Sequence, residues 1–524
     1  MRRKSTASDP PWGLPAELLE YGATVRNAVH GPIELSLLER LILNSPALQR
    51  LRFVRQLGTA YLAYDSATHT RLSHVIGTVK TFQDLWDSMY TVSLRRGASP
   101  NLLIEWRERG PKVFALRCEE ARIAGRLGAL LHDFGHIPMG HPLEDIFRLL
   151  PSHDAAIARI ELLLSRLAEH LDDQIRLGVL TARQREQLQT LFDGELSREL
   201  LPMIVSKAGL GAPPCSPWLA AMVGDTLCAD LLDYVRRDHL FTGLGYQLDD
   251  HAPRAIIITG STDRYPRRMA IQTVRGGRDR PEVRNSVLDL LHARRRLYAS
   301  VNAHPVVISS TAMAAKAVEA LIAHERDRLG SQRSAIEAVE HVLLTHGDDP
   351  LLHYLVARGR AERLYAGGAA RAAWCDPRLI TAGNLARGVL DRNLFTITAS
   401  SGHRHADTIC DRFAESHSRA ALEQQIAEAA EVDPAHVALW IGPHRMWAKD
   451  TTDTLVAEGK RVQPLSDSGL GPDARTIERS HLRAWRAHLI VDRTVPQDKR
   501  EHLRRELERR TGVAWRRPAE TDTP

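Results

Sequence analysis

Two side chains of the types that can bind divalent metals, His132 and Asp133, stand next to each other in residues 130–141, LLHDFGHIPMGH. Neutral imidazoles and carboxylates are the ligand types that hold first-row divalent cations in proteins. Apolar residues at helical spacing precede this pair and Gly135 follows it, which predicts a buried helix that ends here and fixes both side chains. A second His-Asp pair occurs at His153 and Asp154. Further candidate ligands are therefore needed to tell which of the two pairs belongs to a metal site.

Candidate ligands in distant segments favour the first pair. His74 lies at the start of a predicted helix, and Asp230 lies in the middle of another predicted helix over 218–239, within CADLLDYVRRDH. Acidic, aromatic and basic side chains recur at helical spacing on one face of that second helix: Asp230, Asp233 or Tyr234, and Arg237. Such a stripe beside apolar residues is typical of a helix face that lines a site.

The composition limits the class of protein that could carry this site. The 524 residues exceed the size at which one core stops growing, so we expect two lobes or a core with large insertions. No apolar stretch approaches the ~20 residues that span a bilayer, and the N-terminus lacks a signal peptide, so we expect no membrane contact and a cytoplasmic location. The net charge of +6 favours anionic ligands, either nucleotides or nucleic acid.

The five cysteines argue against a disulfide framework and against a structural zinc site, because they are odd in number, scattered and without a Cys-x-x-Cys pair. We expect them to be small buried apolar residues: Cys118, Cys215, Cys228, Cys375 and Cys410.

Hydrophobic periodicity predicts a mostly α-helical core with a small N-terminal β hairpin, followed by an α+β C-terminal lobe. The predicted core helices cover 37–57, 72–89, 218–239 and 283–302, and two short β runs cover 255–258 and 269–274. The expected domains are a flexible tail (1–20), a catalytic core (21–305) with insertions at about 95–112 and 155–215, the C-terminal lobe (306–517) with β runs at 394–398, 437–441 and 489–491, and a second tail (518–524). The second insertion reads as an added helical hairpin without a chemical motif.

Three ordered motifs resemble a known family. ATHTRLSH, LLHDFGHIPMGH and ADLLDYVRRDHLFTG look like the signatures of the HD-domain phosphohydrolases, specifically the deoxynucleoside triphosphate triphosphohydrolase branch that includes SAMHD-type enzymes and bacterial dGTPases. The resemblance extends to VHGPIELS, PALQRLRFVRQLG and HARRRLYASVNAHP, and covers about residues 23–305. The C-terminal lobe resembles the family only weakly, for example at RNLFTI.

The resemblance implies a role for each motif residue. The implied ligands of a divalent metal (Mg, Mn or Fe) are His74, His132, Asp133 and Asp230. Their two imidazoles and two carboxylates neutralise a divalent cation and leave positions for water and a phosphate oxygen. The implied catalytic residues are His136, His141, His153 as general acid or water-positioning group, and Glu144, which is expected to orient His141. The implied substrate contacts are Arg71 and Arg294 to phosphate, Gln56 and Asp238 to a sugar hydroxyl, and Tyr234 against the ribose.

Three positions differ from the family pattern. Leu231 replaces a basic residue that commonly touches the phosphates, and Asn302 stands where SAMHD-type enzymes carry a tyrosine near the sugar and base. Asn44 replaces an aspartate that, with residues matching Gln49 and Arg52, recognises guanine in an activating site. An amide offers one acceptor and one donor, whereas a carboxylate accepts both hydrogen bonds of the guanine edge.

The resemblance therefore implies hydrolysis of deoxynucleoside triphosphates to deoxynucleoside and tripolyphosphate, in a homo-oligomer with an activating nucleotide. Leu231 leaves open a mono- or diphosphate substrate or a modified nucleotide. The basic balance leaves open weak nucleic-acid binding or nuclease action, through arginine-rich segments at 294–296 and 504–510. A catalytically silent regulator is disfavoured, because a scaffold has no need for all four metal ligands.

Overall fold

The computed structural model describes residues 11–95, 104–107, 113–116, 118–194, 200, 204, 217–224, 227–245, 247–258, 268–366, 375–444, 454–459 and 461–517. It confirms the predicted fold class, since helices dominate the chain, a β hairpin lies near the N-terminus and mixed sheets lie towards the C-terminus. Residues 1–10 of the first predicted tail, the whole second tail and most of the first predicted insertion lie outside the described residues, and so do residues 195–199, 201–203 and 205–215 of the second insertion.

The helices are numbered in chain order: α1 Ala16–Leu19, α2 Leu37–Leu43, α3 Pro46–Gln49, α4 Arg71–Arg95, α5 Cys118–Leu131, α6 Ile157–Arg176, α7 Ala182–Asp193, α8 Pro217–Gly224, α9 Ala229–Thr242, α10 Pro281–Leu297, α11 Pro305–Leu329, α12 Gln332–Thr345, α13 Asp348–Ala366, α14 Pro377–Leu390, α15 Ala406–Phe413, α16 Ser416–Ala429, α17 Gly471–Arg483 and α18 Gln497–Thr511. Two π-helical turns follow the same chain order, Pro142–Ile146 and Tyr298–Asn302.

The strands are β1 Tyr21–Asn27, β2 Gly31–Ser36, β3 Ile104–Arg107, β4 Val113–Leu116, β5 Ile256–Ile258, β6 Met269–Arg275, β7 Arg278–Asp279, β8 Thr396–Gly402, β9 Val437–Trp440, β10 Leu455–Glu458, β11 Arg461–Pro464 and β12 Arg486–Val491. Strands β1 and β2 form the predicted hairpin, and β5 pairs antiparallel with β6 as predicted. Strands β8, β12 and β9, in that order, form one antiparallel sheet.

Two helices predicted as continuous are broken. The predicted helix over 37–57 ends at Leu43, and α3 begins after Ser45, whose hydroxyl accepts the Leu48 N–H as an N-cap. The predicted helix over 218–239 divides into α8 and α9, and Cys228 lies between them in extended conformation with its sulfur capping Leu231 N. Asp230 therefore lies in the first turn of α9, not in the middle of a helix.

Helix α4 packs against α5 and against α9, and the three helices position the candidate metal ligands. Their apolar faces belong to one large core, which includes Val75 and Val79 of α4 and Leu127 and Leu131 of α5. Helix α5 ends at Leu131, so His132 and Asp133 leave the helix at its last turn, as the sequence predicted. Buried contacts on three helices thus fix the backbone beneath the site.

The C-terminal region contacts the first 305 residues of the chain in several places, two of which involve strands. Strand β10 pairs in parallel with β6, so residues 455–464 extend the sheet that begins at β5. Strand β9 contacts helix α11, and its last residue, Trp440, packs edge-on against Phe147 with ring centroids 5.9 Å apart. A second hydrophobic cluster lies between the β8–β12–β9 sheet and helices α15, α16 and α18.

One helix corrects the expectation that no stretch is long and apolar enough to span a bilayer. Helix α11 has 25 residues and a mean hydropathy of 1.6 over its most apolar window, so its length and composition alone would allow a span. However, 72% of that window is buried inside the protein, and α11 packs against α12 and α14. Its apolar character is that of a central core helix, which is surrounded by protein on most sides.

Candidate metal centre and substrate cleft

Three of the predicted ligands face one point. The Nε2 atoms of His74 and His132 lie 3.2 Å apart, and Asp230 Oδ1 lies 3.2 Å from His74 Nε2 and 3.7 Å from His132 Nε2. The fourth predicted ligand, Asp133, has Oδ1 3.5 Å from His132 Nε2 and Oδ2 3.8 Å from His74 Nε2. These separations suit donors around one cation, and the donor set of two imidazoles and two carboxylates fits a divalent metal.

Both ligand imidazoles are held by a hydrogen bond on the opposite ring nitrogen. His132 Nδ1 lies 2.8 Å from the carbonyl oxygen of Ala129, and His74 Nδ1 lies 2.7 Å from Asp233 Oδ2. A partner on Nδ1 fixes the ring and leaves Nε2 free to bind a metal. The sequence predicted that Asp233 could share a helix face with Asp230. It did not predict that the Asp233 carboxylate hydrogen-bonds to His74.

Asp233 belongs to a fully buried charge cluster. Its carboxylate accepts two hydrogen bonds of 2.8 Å from Arg237 and lies 2.6 Å from His30 Nε2. Gly77 provides the space for this cluster, because a Cβ at that position would overlap both Asp233 and Arg237. Arg237 neutralises Asp233, so this carboxylate adds no net negative charge to the site.

The potential at the centre is negative. Burial lowers the pKa of His74, but hydrogen bonds to Asp230 and Asp233 raise it more, to about 10. Burial raises the pKa of Asp230, but hydrogen bonds from His132 and His74 hold it well below its usual range. Both shifts show that a positive charge is stabilised at this point, and a divalent cation would supply it.

Next to the candidate metal ligands the structure brings together the three further histidines that the resemblance implied. His136 and His153 stack with ring centroids 3.6 Å apart, and His141 stands edge-on to them at 4.9 Å and 5.3 Å. His136 Nε2 lies 3.3 Å from Asp133 Oδ1, which joins the cluster to the metal site.

The carboxylates of this cluster differ from the prediction. Glu144 was expected to orient His141, but its Oε2 lies 3.1 Å from His153 Nδ1, and Asp145 Oδ2 is the atom that lies 2.8 Å from His141 Nδ1. The reason is local, because residues 142–146 form a π-helical turn that directs Glu144 inward and leaves Asp145 beside the exposed histidine. Burial lowers the pKa of His153, but the hydrogen bond and the charge of Glu144 raise it more.

Glu144 is in turn held by Arg159, which the sequence analysis did not identify. Arg159 is buried and donates a 2.6 Å hydrogen bond to Glu144 Oε1 and a 2.5 Å hydrogen bond to Glu340 of helix α12. This arginine belongs to helix α6, in the segment that was predicted to be an insertion without a chemical role. Only the fold reveals its role, because nothing in its local sequence sets it apart.

A cleft of about 700 Å³, including its open mouth, adjoins the histidine cluster. Its polar side carries the predicted residues Gln56, Arg71 and His141. Arg71 also donates a 2.7 Å hydrogen bond to Asp133 Oδ2, so one guanidinium touches a metal ligand and lines the cleft. The apolar side is formed by residues from four segments: Ile146, Tyr298, Val301, Val307 and Trp440.

The other predicted substrate residues lie along helix α9 and α10, and the cleft lining does not include them. Arg294 Nε donates a 3.0 Å hydrogen bond to the Tyr234 hydroxyl, and Tyr234 lies one turn after Asp230. Asp238 is buried and lies 2.8 Å from His69 Nε2. The structure therefore brings Tyr234 and Arg294 together near the metal ligands, whereas Asp238 supports the loop before Arg71.

The three positions that differ from the family pattern have different surroundings. Leu231 is fully buried in the core, and Asn302 lines the cleft. Asn44 is exposed at the C-terminus of α2, while Gln49 accepts hydrogen bonds from Arg52 at 3.1 and 3.3 Å. Position 231 therefore supplies no cation that could bind a phosphate. The side chains of Gln49 and Arg52 hydrogen-bond to each other.

Comparison with known proteins supports the resemblance. No protein-family model matches the chain. An HD domain-containing protein of Acanthamoeba polyphaga mimivirus is 32% identical over 127 residues, 24% of this chain and 26% of that protein. The deoxynucleoside triphosphate triphosphohydrolase SAMHD1 of Danio rerio is 31% identical over 119 residues, 23% of this chain and 16% of that protein. The matched part of the chain spans from 16% to 50% of the length of such curated relatives.

A solved structure supports the fold. The crystal structure of a phosphohydrolase from Bacteroides thetaiotaomicron matches with a TM-score of 0.53 and 17% identity, covering 90% of this chain and 100% of that chain. The solved structure shows a shared fold, the relatives show similarity to an HD domain over part of the chain, and the His/Asp cluster is one that could hold a metal ion.

Proposed function

We propose that this protein hydrolyses deoxynucleoside triphosphates to deoxynucleoside and tripolyphosphate with the help of a divalent metal held by His74, His132, Asp133 and Asp230. The observation that carries the proposal is that Arg71 hydrogen-bonds to the candidate ligand Asp133 and also lines a cleft whose other lining residues include apolar and aromatic side chains. The activity of the SAMHD1 relative, as its name states it, is consistent with this site.

The chain's own residues can support each part of the reaction. A bound divalent metal would polarise the α-phosphate and acidify a water. Water attacks the α-phosphorus, the bond from phosphorus to O5′ breaks, and the leaving O5′ takes a proton. Arg71 stabilises the charge that develops on the phosphate oxygens. We assign the donation of that proton to His153, whose contact with Glu144 favours its protonated form.

Replacing Glu144 by glutamine is expected to move the alkaline limb of the pH–rate profile to lower pH. His153 is active as an acid only below its pKa, and the Glu144 carboxylate raises that pKa. Without the carboxylate, His153 loses its proton at a lower pH, so kcat falls earlier as the pH rises. The measurement is kcat between pH 6 and 10 for both proteins, with Asp145→Asn as the matched control. An unchanged alkaline limb would show that His153 is not the acid.

The apolar side of the cleft fits a nucleobase. Trp440 and Tyr298 present aromatic surface, and Ile146, Val301 and Val307 add aliphatic surface. Stacking of a base on an aromatic side chain contributes about 1–3 kcal/mol by alanine substitution. The Trp440→Ala variant is therefore expected to raise KM for the nucleotide by about 10-fold. Inhibition by inorganic tripolyphosphate, which lacks a base, should not change, and an unchanged KM would place the base elsewhere.

The product assay tests the proposed reaction. Purified protein is incubated with each deoxynucleoside tri-, di- and monophosphate and with Mn²⁺, Mg²⁺ or Fe²⁺, and the products are resolved. Inorganic tripolyphosphate supports the proposal. Orthophosphate from a lower phosphate supports the alternative substrate, which the apolar Leu231 favours because it removes one cation from the phosphate site.

We also propose that the protein is a cytoplasmic homo-oligomer, that residues 21–305 are its catalytic core, and that a second nucleotide activates it. Repeating the product assay with each second nucleotide, and measuring molar mass by light scattering in its presence, tests both the activator and the assembly. Because the chain has a net charge of +6, nucleic-acid binding is tested as a control, by measuring retention on single-stranded DNA at increasing salt.

A further inference from the structure

A buried carboxylate outside the metal site joins both walls of the cleft. Asp348 is the first residue of helix α13, and its side chain is 1% exposed. Its Oδ2 accepts a 2.6 Å hydrogen bond from the backbone N–H of Arg55, and its Oδ1 accepts a 3.1 Å hydrogen bond from the backbone N–H of Met139. Each oxygen therefore holds the backbone of a different wall.

The first wall carries the cationic side of the cleft. The backbone at Arg55 runs beside that of Thr70, with Gln56 N donating to His69 O at 3.0 Å and Arg71 N donating to Val54 O at 2.9 Å. The position of Arg55 N is therefore coupled to the positions of Gln56 and Arg71. A shift of this backbone would move the guanidinium that contacts Asp133.

The second wall is the loop between the metal ligands and His141. Met139 has a φ of 55°, in the left-handed region that a residue with a side chain rarely adopts. Its N–H points at Asp348, and two residues later His141 enters the cleft. A strained backbone persists only where its surroundings hold it, and the bond to Asp348 is one such restraint.

The residues before and after Asp348 in the chain also pack closely against the segment that contains Arg55. Asp349 makes a double ion pair with Arg55 at 2.7 and 2.6 Å. Gly347 lies against the backbone of Phe53, where a Cβ would overlap the carbonyl oxygen. Burial raises the pKa of Asp348 to about 6 although both backbone bonds lower it. Keeping an ionised carboxylate here is therefore costly, and its two hydrogen bonds and the charge of Arg55 offset part of that cost.

We propose that Asp348 is a positioning residue, which sets the distance between the two walls and thereby controls the turnover of the site without contributing to metal binding. The effect on turnover rests on the proposed function. The joining of the two walls is a property of the fold and does not depend on it. Asp348 lies on helix α13, far along the chain from all of the ligands, so it acts through Arg55 and Met139.

The test is the Asp348→Asn variant. An amide keeps the shape but offers an acceptor to only one wall and turns its NH₂ group towards the other donor. Losing a hydrogen bond to a charged group is expected to lower kcat about 10- to 100-fold, with KM nearly unchanged. Amide hydrogen exchange in peptides covering 53–57 and 137–141 should become about 10-fold faster, while metal content measured by mass spectrometry stays at the wild-type level.

Two further variants separate positioning from general damage. Asp349→Asn removes the neighbouring carboxylate and should leave exchange at 137–141 unchanged. Gly347→Ala keeps the Asp348 carboxylate but pushes helix α13 away from Phe53, so it should reproduce the fall in kcat and the faster exchange even where Asp348→Asn fails to fold. Unchanged kcat and exchange in Asp348→Asn, or equal acceleration of exchange throughout the protein, would overturn the proposal. If the wild type forms no tripolyphosphate, the proposed function fails, and the exchange pattern still decides the role of Asp348.

Discussion

The Asp133→Ala variant is expected to lose bound metal and to lower kcat by about 1,000-fold or more, because Asp133 contributes both to the metal site and to the position of Arg71. The loss should not come from unfolding, since His132 and its helix α5 are held by an apolar core that the variant leaves intact. Metal content, kcat and thermal unfolding measured on one preparation test this result.

The sequence offers a matched control for that variant. His153 and Asp154 form the second His-Asp pair, and Asp154 is not near His74, His132 or Asp230 in any of the described contacts. Asp154→Ala should therefore keep its metal content and most of its activity. Metal retained in Asp133→Ala, or lost equally in both variants, would show that the His132 and Asp133 pair is not part of the centre.

The place of the candidate ligands on their helices could be predicted because those signals are local, whereas their assignment as one metal-binding set came from the resemblance to the HD-domain phosphohydrolases. An apolar helical run fixes where α5 ends, and the side chains at that end face the neighbouring helices. His74 could be placed for the same reason, since α4 begins at Arg71. Asp230 was assigned correctly to its segment, but its place in the helix was wrong because Cys228 interrupts the predicted helix.

The partners of these residues could not be predicted, because each depends on a detail that local sequence does not encode. Because residues 142–146 form a π-helical turn, Asp145 contacts His141 in place of Glu144, and Glu144 contacts His153. Arg159 comes from a segment predicted only as a helical hairpin without a chemical motif, and Asp348 comes from helix α13, which the sequence analysis did not predict. Trp440 reaches the cleft from a strand about 300 residues after the metal motif in the chain, through the packing of β9 on α11.

The buried pair of Asp233 and Arg237 allows the second large effect to be predicted. Asp233→Asn is expected to lower the free energy of unfolding by about 3–5 kcal/mol, because it leaves the charge of Arg237 buried without its carboxylate. It should also weaken metal binding about 10- to 100-fold, because Asp233 is the group that fixes the imidazole of His74. Chemical denaturation and metal titration measure the two effects separately.

The double variant Asp233→Asn with Arg237→Met separates charge balance from orientation. Removing both charges restores most of the stability, since no unpaired charge remains buried. Metal affinity should stay low, because the amide does not reproduce the hold of the carboxylate on His74 Nδ1. As a control, Asp84→Asn breaks the exposed ion pair between Asp84 and Lys80, both on helix α4. It should lower the free energy of unfolding by less than about 1 kcal/mol. Recovery of metal affinity in the double variant would mean that Asp233 serves only to neutralise Arg237, and that His74 is oriented by its packing alone.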